Sequence, residues 1–241
     1  MIGTDARTQV LFVMPVFQAV YPKPLENFLA MMLHAGMAVH EKYAIWPIVM
    51  ERTPLHAAMN RAAADALTHG FDVLIFADDD CLPPIDAIPR LLAHYEAGHP
   101  FMAGLGYMRG FPHTTTIGRY DPAGPTLRFE HGQPQLAGFR WIDDVADEPT
   151  DLIPADFCGF PIAMVTVAAL RRMERPWFAT ATALGECTHD VFFGDRAKAA
   201  GVPIVVDRTM ACGHLSDGYV ITPHSRQLAR TLQPLTDGVP A

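Results

Sequence analysis

Three carboxylates stand in a row at Asp78, Asp79 and Asp80, directly after the apolar run 73–77. Adjacent like charges repel, and the end of a buried strand is a poor place for them unless a cation is near. In extended backbone, residues two apart point to the same side. Asp78 and Asp80 are therefore expected to converge on one ion, with Asp79 turned away. Carboxylate oxygens suit Mg²⁺ or Mn²⁺. The bland alternative is a solvated acidic turn that caps the next helix.

A second group lies near the C-terminus: Pro176, Trp177 and Phe178, then Gly185 through Asp190, then Phe192 and Phe193, Asp207, and the pair Gly213 and His214. Asp190 falls in the first turn of an expected helix, where the dipole favours a carboxylate in any case. His214 is a surface histidine or the imidazole that completes a cation shell begun by two acids. Trp177 offers its ring either to a sugar face or to the core. Cys187 with His189 and Cys212 with His214 form two C-x-H units that would make a Cys₂His₂ zinc set, although their spacing is not a usual one. Gly104, Gly106 and Gly110 form a weak dinucleotide-like pattern that lacks an obvious following helix. No phosphate-binding lysine loop, G-x-S-x-G or H-E-x-x-H motif is present.

The elements that must position these groups follow from apolar patterning. Residues 10–14 read as a strand buried on both faces, and 44–50, 72–77, 101–103 and 202–206 as further strands. Helices are expected over 24–36, closed by Gly36, and from Thr53 and Pro54 to Gly70. Others span 85–95 and 188–200, the last capped by Thr188 and closed by Gly201. Residues 109–150 are rich in Pro, Gly, Thr and acids; they read as an irregular insertion with a short hairpin around Gly132, and Trp141 within it as part of an acceptor wall or lid. Regular structure resumes over 153–170, and the tail from about 222 to 241 reads as peripheral. The alternation implies an α/β fold with a mostly parallel sheet.

The chain of 241 residues suffices for one large α/β domain. A net charge of -8 argues against a broad basic surface for nucleic acid. The four cysteines lack a disulfide framework and read as reduced, which fits a cytoplasmic protein. The apolar run 10–20, broken by Pro15 and Gln18, reads as a strand rather than a signal peptide, and no stretch has the ~20 apolar residues of a membrane span.

Taken in order, the strand with its three aspartates, the Pro-Trp-Phe segment, the His-Asp pair on a helix and the late Gly-His resemble a GT-A fold glycosyltransferase, most like the broad family 2-like group. The resemblance covers about residues 8–216. It implies one Rossmann-like, three-layer α/β domain over 1–241. It implies that Asp78 and Asp80 serve Mn²⁺ or Mg²⁺ and the ribose and diphosphate of a UDP- or GDP-sugar, Asp80 as the direct ligand. Asp79 would face the same donor. His214 would be a further metal ligand and Asp190 the base that deprotonates an acceptor hydroxyl. Pro15 and Val16 would line the nucleobase pocket. Asn60 would contact the donor, and Trp177 would lie against its sugar. The family's Arg-Asn pair stands here as Met59-Asn60, and the glutamate of its acidic dyad is His189. Two other classes fit the same residues: a non-catalytic nucleotide-sugar or carbohydrate binding module, and a metal-dependent nucleotidyltransferase. The acidic charge makes a nucleic-acid acceptor the less attractive choice.

Overall fold

The continuous apolar runs form the middle of a sheet. In Thr8–Val16 (β1) and Val73–Ala77 (β3), nearly every side chain is buried. Alternate residues face opposite ways, as a pleat requires. Val10, Phe12, Val73 and Ile75 pack on one side, and Leu11, Val13, Leu74 and Phe76 on the other. This computed structural model describes residues 6–16, 19–51, 53–110, 113–124, 126–130, 133–142, 145–182, 185–216, 219–225 and 227.

Helices cover both faces. Pro22–Val39 (α1) and Ala87–Glu96 (α3) lie on the first, through Met31, Ala35, Ile88 and Leu91. Leu55–His69 (α2), Val167–Arg172 (α4) and His189–Ala199 (α5) lie on the second, through Ala62, Ala66, Leu170 and Phe193. The remaining strands of the main sheet are Tyr43–Glu51 (β2), Phe101–Leu105 (β5), Leu152–Ala155 (β10), Ile162–Thr166 (β12) and Ile204–Ala211 (β15). The order is β10-β15-β5-β12-β3-β1-β2. β1, β2, β3, β5 and β15 run one way; β12 and β10 run the other. The α/β class and the mostly parallel sheet agree with the sequence reading.

Several local expectations change. Gly36 does not end α1, which runs on to Val39 because Ala35 and Val39 still pack on the sheet; an interior glycine costs a helix only about 1 kcal/mol. Thr53 does not cap α2: its hydroxyl donates to the Glu51 carbonyl instead, and Pro54 takes the N-cap position. Gly70 does close α2, at φ 78°, where other residues are strained. Thr188 occupies the N-cap position of α5 without a side-chain bond.

The 109–150 segment is also more regular than expected. It holds Ile117–Tyr120 (β6), Thr126–Glu130 (β7), Gln133–Ala137 (β8) and Phe139–Trp141 (β9). β7 and β8 pair as the expected hairpin, although Gly132 itself lies outside the described residues. β6 pairs with β9 and with Phe157–Cys158 (β11). Phe157 organises this unit: Tyr120, Phe139 and Trp141 pack around its ring at centroid distances of 5.2–5.5 Å. Gly118 leaves room for that ring, since a Cβ there would lie 2.1 Å from it. Trp141 thus serves this aromatic cluster. β8 also meets a small pair, Ala181–Thr182 (β13) and Gly185–Glu186 (β14).

Asp207, inside β15, has a structural role. It is 4% exposed and accepts bonds from Arg90 Nη2 at 2.8 Å and from the Thr209 backbone N–H and hydroxyl at 2.9 and 2.6 Å; His94 Nε2 lies at 3.2 Å. Burial pushes its pKa up, but the Thr209, His94 and Arg90 contacts together hold it below the ordinary carboxylate value. A depressed folded pKa stabilises the protein above the unfolded value of about 3.9, and that stabilisation is lost as the pH falls through the folded pKa. Denaturant unfolding against pH should therefore show wild-type stability falling on acidification in a limb that Asp207→Asn lacks. Identical acid limbs would contradict this role.

Candidate functional site

Extended backbone stops at Ala77. The Asp78 N–H donates to the Pro161 carbonyl at 3.4 Å, and the Cys81 N–H donates back to the Asp78 carbonyl at 3.3 Å. A turn at Asp79 and Asp80 follows, so the same-side rule for residues two apart does not govern the three acids. Cys81–Leu82 (β4) then pairs antiparallel with Gly213–Ser216 (β16), which pairs in turn with Tyr219–Ile221 (β17). In this register His214 lies opposite Cys81, and the Leu215 N–H donates to the Asp80 carbonyl at 2.8 Å. The fit at Gly213 is close: a Cβ there would lie 2.8 Å from Val220 Cγ1 of β17 and 3.3 Å from Leu82 Cβ of β4. The Gly-His pair is thus delivered to the aspartate turn by the β4–β16 pairing.

His214 is oriented by its other nitrogen. Nδ1 lies 2.6 Å from the Tyr107 carbonyl, which can only accept, so Nδ1 carries the proton and Nε2 presents a lone pair. That lone pair faces Asp80 Oδ2 at 3.5 Å and receives Arg109 Nε–H at 3.2 Å. Arg109 Nη2 also donates to Asp80 Oδ2, so one guanidinium bridges the carboxylate and the imidazole. Burial lowers the His214 pKa and the Arg109 charge lowers it further, against the opposing pull of the Tyr107 carbonyl; the ring is neutral at neutral pH.

These groups line a cleft of about 320 Å³ walled by Pro15, Val16, Thr53, Leu55, the three aspartates, Arg109 and His214. The volume falls within the range of small-molecule sites. It opens at the carboxyl ends of β1 and β3. β1 connects through α1 to β2 on one side, while the chain leaves β3 toward the other, so this is the switch point where open α/β sheets bind ligands. Asp78 is the most perturbed carboxyl here: burial, then the charges of Asp79 and Asp190, push it up to about 7, with Arg109 opposing.

The donor set fits a divalent cation. A carboxylate and an unprotonated imidazole nitrogen converge, and a cationic group already bridges them. Among the described residues, the group of potential ligands whose donor atoms all lie within 4.8 Å of one another is Asp80, Cys81 and His214. Asp78 is not in that group, although it lines the same cleft. Cys81 was not foreseen as a ligand; burial foremost, then the Asp78 charge, raise its pKa and keep the thiol neutral.

Asp190 sits in the first turn of α5, where its Oδ1 accepts the Val191 N–H at 2.9 Å. It is not on the cleft wall, yet its charge reaches Asp78. Beside it, His189 is half-buried, and its buried Nε2 has no hydrogen-bond partner among the described residues. Burial lowers the His189 pKa, with the Asp190 charge opposing.

Two expected donor contacts are placed elsewhere. Asn60 uses both ends of its amide inside the protein: Nδ2 donates to the His56 and Phe178 carbonyls at 2.8 and 2.6 Å, and Oδ1 accepts the Trp177 and Phe178 N–H groups at 3.0 and 3.2 Å. Its hydrogen-bonding capacity is filled by latching the 177–178 segment to α2. Trp177 is 3% exposed, donates Nε1–H to the Leu170 carbonyl, and has the Arg175 guanidinium over its ring at 4.6 Å. Its ring belongs to the core. Asn60→Ala should cost about 2–3 kcal/mol of stability by orphaning buried backbone groups, read by denaturant unfolding, with ligand affinity unchanged. Lost affinity at unchanged stability would restore a binding role.

The Cys187, His189, Cys212 and His214 set is not among the converging ligand groups; Cys212 is buried and donates weakly to the Met210 carbonyl. Gly104 and Gly106 serve packing: a Cβ on either would lie under 3 Å from Cys212 Sγ or Thr116 Oγ1. The four cysteines are free, and among the described residues no helix is long and apolar enough to cross a membrane.

No family model and no curated protein sequence matches this chain. Solved structures do. A197 from STIV is similar at a TM-score of 0.55 and 18% identity, covering 90% of this chain and 92% of its own. A Drosophila β1,4-galactosyltransferase 7 mutant, in complex with manganese, UDP-Gal and xylobiose, aligns at 0.47 and 13% identity over 87% of this chain and 71% of its own. UDP-glucose pyrophosphorylase in complex with UDP-glucose aligns at 0.46 and 9% identity over 84% and 90%. The likeness to A197 is one of fold, a mixed α/β architecture.

Proposed function

We propose that this protein is a cation-dependent glycosyltransferase that moves a sugar from a nucleoside-diphosphate donor, a UDP- or GDP-sugar, to an acceptor hydroxyl. The observation that carries the reading is the convergence of Asp80 and the His214 Nε2 lone pair in a cleft at the switch point of the sheet, with Asp78, Asp79 and Pro15 on the same walls. Asp80 and His214 would hold a divalent cation. When bound, it supplies positive charge against the diphosphate as the sugar–phosphate bond breaks.

The remaining work falls to the chain itself. Pro15, Val16 and Leu55 form an apolar wall against which a nucleobase can lie. Arg109, once released from Asp80 and His214, remains within reach of the diphosphate as a second positive group. Asp190, near enough to Asp78 for its charge to be felt, is the candidate to take the proton from the acceptor hydroxyl. The acceptor is a hydroxyl compound that reaches the cleft from the α5 side.

The reading is tested by incubating the protein with UDP- and GDP-sugars, a divalent cation and a panel of hydroxyl acceptors. Release of free UDP or GDP, dependent on the cation, supports it. Pyrophosphate formed from a nucleoside triphosphate and a sugar phosphate would reassign the site to nucleotidyl transfer. Tight binding without either product would make the protein a binding module.

A further inference from the structure

The sulfur of Cys81 lies beside the Asp80 carboxylate and the His214 ring. It is directly opposite His214 in the β4–β16 pair, so the two side chains leave the same face of that small sheet. Cys81 Sγ lies 3.5 Å from Asp80 Oδ1, and His214 Nε2 lies 3.5 Å from Asp80 Oδ2. Two ligand atoms on one tetrahedral zinc-type ion are about 3.4–3.6 Å apart, from the usual bond lengths. One donor atom from each of Cys81, Asp80 and His214 lies within 4.8 Å of the others, close enough for one tetrahedral ion to draw them into three corners of its shell. A fourth corner remains for a diphosphate oxygen, the open arrangement of catalytic rather than structural sites.

We infer that Cys81 is a third protein ligand and that the site selects a thiophilic cation, of the Zn²⁺ or Co²⁺ kind, over the Mg²⁺ and Mn²⁺ that carboxylates alone would favour. This rests on the reading that the cleft holds a cation. A thiolate is a soft donor and discriminates strongly against Mg²⁺ and Mn²⁺. On binding, the S–H bond of Cys81 is replaced by a sulfur–cation bond and the proton leaves to solvent. Arg109 yields its place between Asp80 and His214.

Co²⁺ titration of the intact protein reads the ligand directly. The expected result is tetrahedral ligand-field absorption in the visible together with a sulfur-to-cobalt charge-transfer band in the near ultraviolet. Cys81→Ser should lose that band and bind Zn²⁺ at least ~10-fold more weakly, with Mn²⁺ affinity little changed. Cys187→Ser should keep the band. Because Cys81 is buried, zinc-edge X-ray absorption of the wild-type protein provides a second reading that needs no variant: one sulfur at about 2.3 Å. Cobalt bound without the charge-transfer band, or zinc without a sulfur neighbour, overturns the role of Cys81 and leaves the cation site standing. No cobalt or zinc binding, with Mn²⁺ bound in the cleft, overturns the selectivity in the same way. Failure to bind any of the three overturns both.

Discussion

Replacing Asp80 with alanine should weaken cation-dependent binding of a nucleoside-diphosphate sugar by ~100-fold or more. Even partners one shell removed from a metal typically cost 10–100-fold, and in the proposed site Asp80 would contribute the carboxylate itself. In the present structure that carboxylate faces Arg109, His214 and the Cys81 thiol at once, so its loss removes the group around which the site converges. The fold should survive, because the contact that docks β16 at this point uses the Asp80 backbone carbonyl, accepting from the Leu215 N–H. Calorimetric titration of the sugar nucleotide with and without cation separates the two effects. Wild-type and variant should bind alike without cation and differ widely with it. An undiminished cation effect in the variant would remove Asp80 from the site. His214→Ala should reproduce the loss, and the double variant should be little worse, since either change already dismantles a shared site.

Asp190→Asn should leave donor binding intact and cut transfer to the acceptor by ~10²–10⁴-fold, the usual worth of a general base. The amide keeps the size of the carboxylate and can still accept the Val191 N–H in the first turn of α5, so the helix end is preserved. What it cannot do is accept a proton from an alcohol. Donor affinity and transfer rate measured on one preparation decide the matter. Full transfer activity in Asp190→Asn removes it as the base; parallel loss of affinity and rate assigns it to the donor side instead.

The central strands were legible because burial on both faces leaves an uninterrupted apolar run; β1 and β3 fell within a residue or two of their expected places. The joint at Gly70 was legible because only a left-handed backbone closes α2 there. The acids at 78–80 and the late Gly-His stood out as chemistry-bearing groups without a packing reason. Their actual geometry was hidden, because it depends on a turn after Ala77 and on the β4–β16 pairing, contacts remote in sequence. Cys81 reads in the sequence only as one of four reduced cysteines; its place opposite His214 comes from the β4–β16 pairing. Arg109 lay in a segment read as an irregular insertion, and nothing local to it says that the chain after β5 returns to the end of β3. Asn60 and Trp177 show the reverse case. Their residue types suit ligand contacts, but the Asn60 amide binds the Trp177 and Phe178 backbone and the Trp177 ring packs in the core, which only the fold discloses. The aromatic unit around Phe157 was missed for a related reason: its strands are short, and they are held by ring packing rather than by a periodic apolar face.

The most direct measurement is anomalous diffraction from crystals grown with a divalent cation and a nucleoside diphosphate. The expected map has one strong peak between the Asp80 carboxylate and His214 Nε2, in contact with the diphosphate, and the Arg109 guanidinium displaced from its bridge. A nucleotide bound elsewhere, or a cleft with Arg109 still clasping Asp80 and His214 at saturating cation, would contradict the proposed catalytic centre.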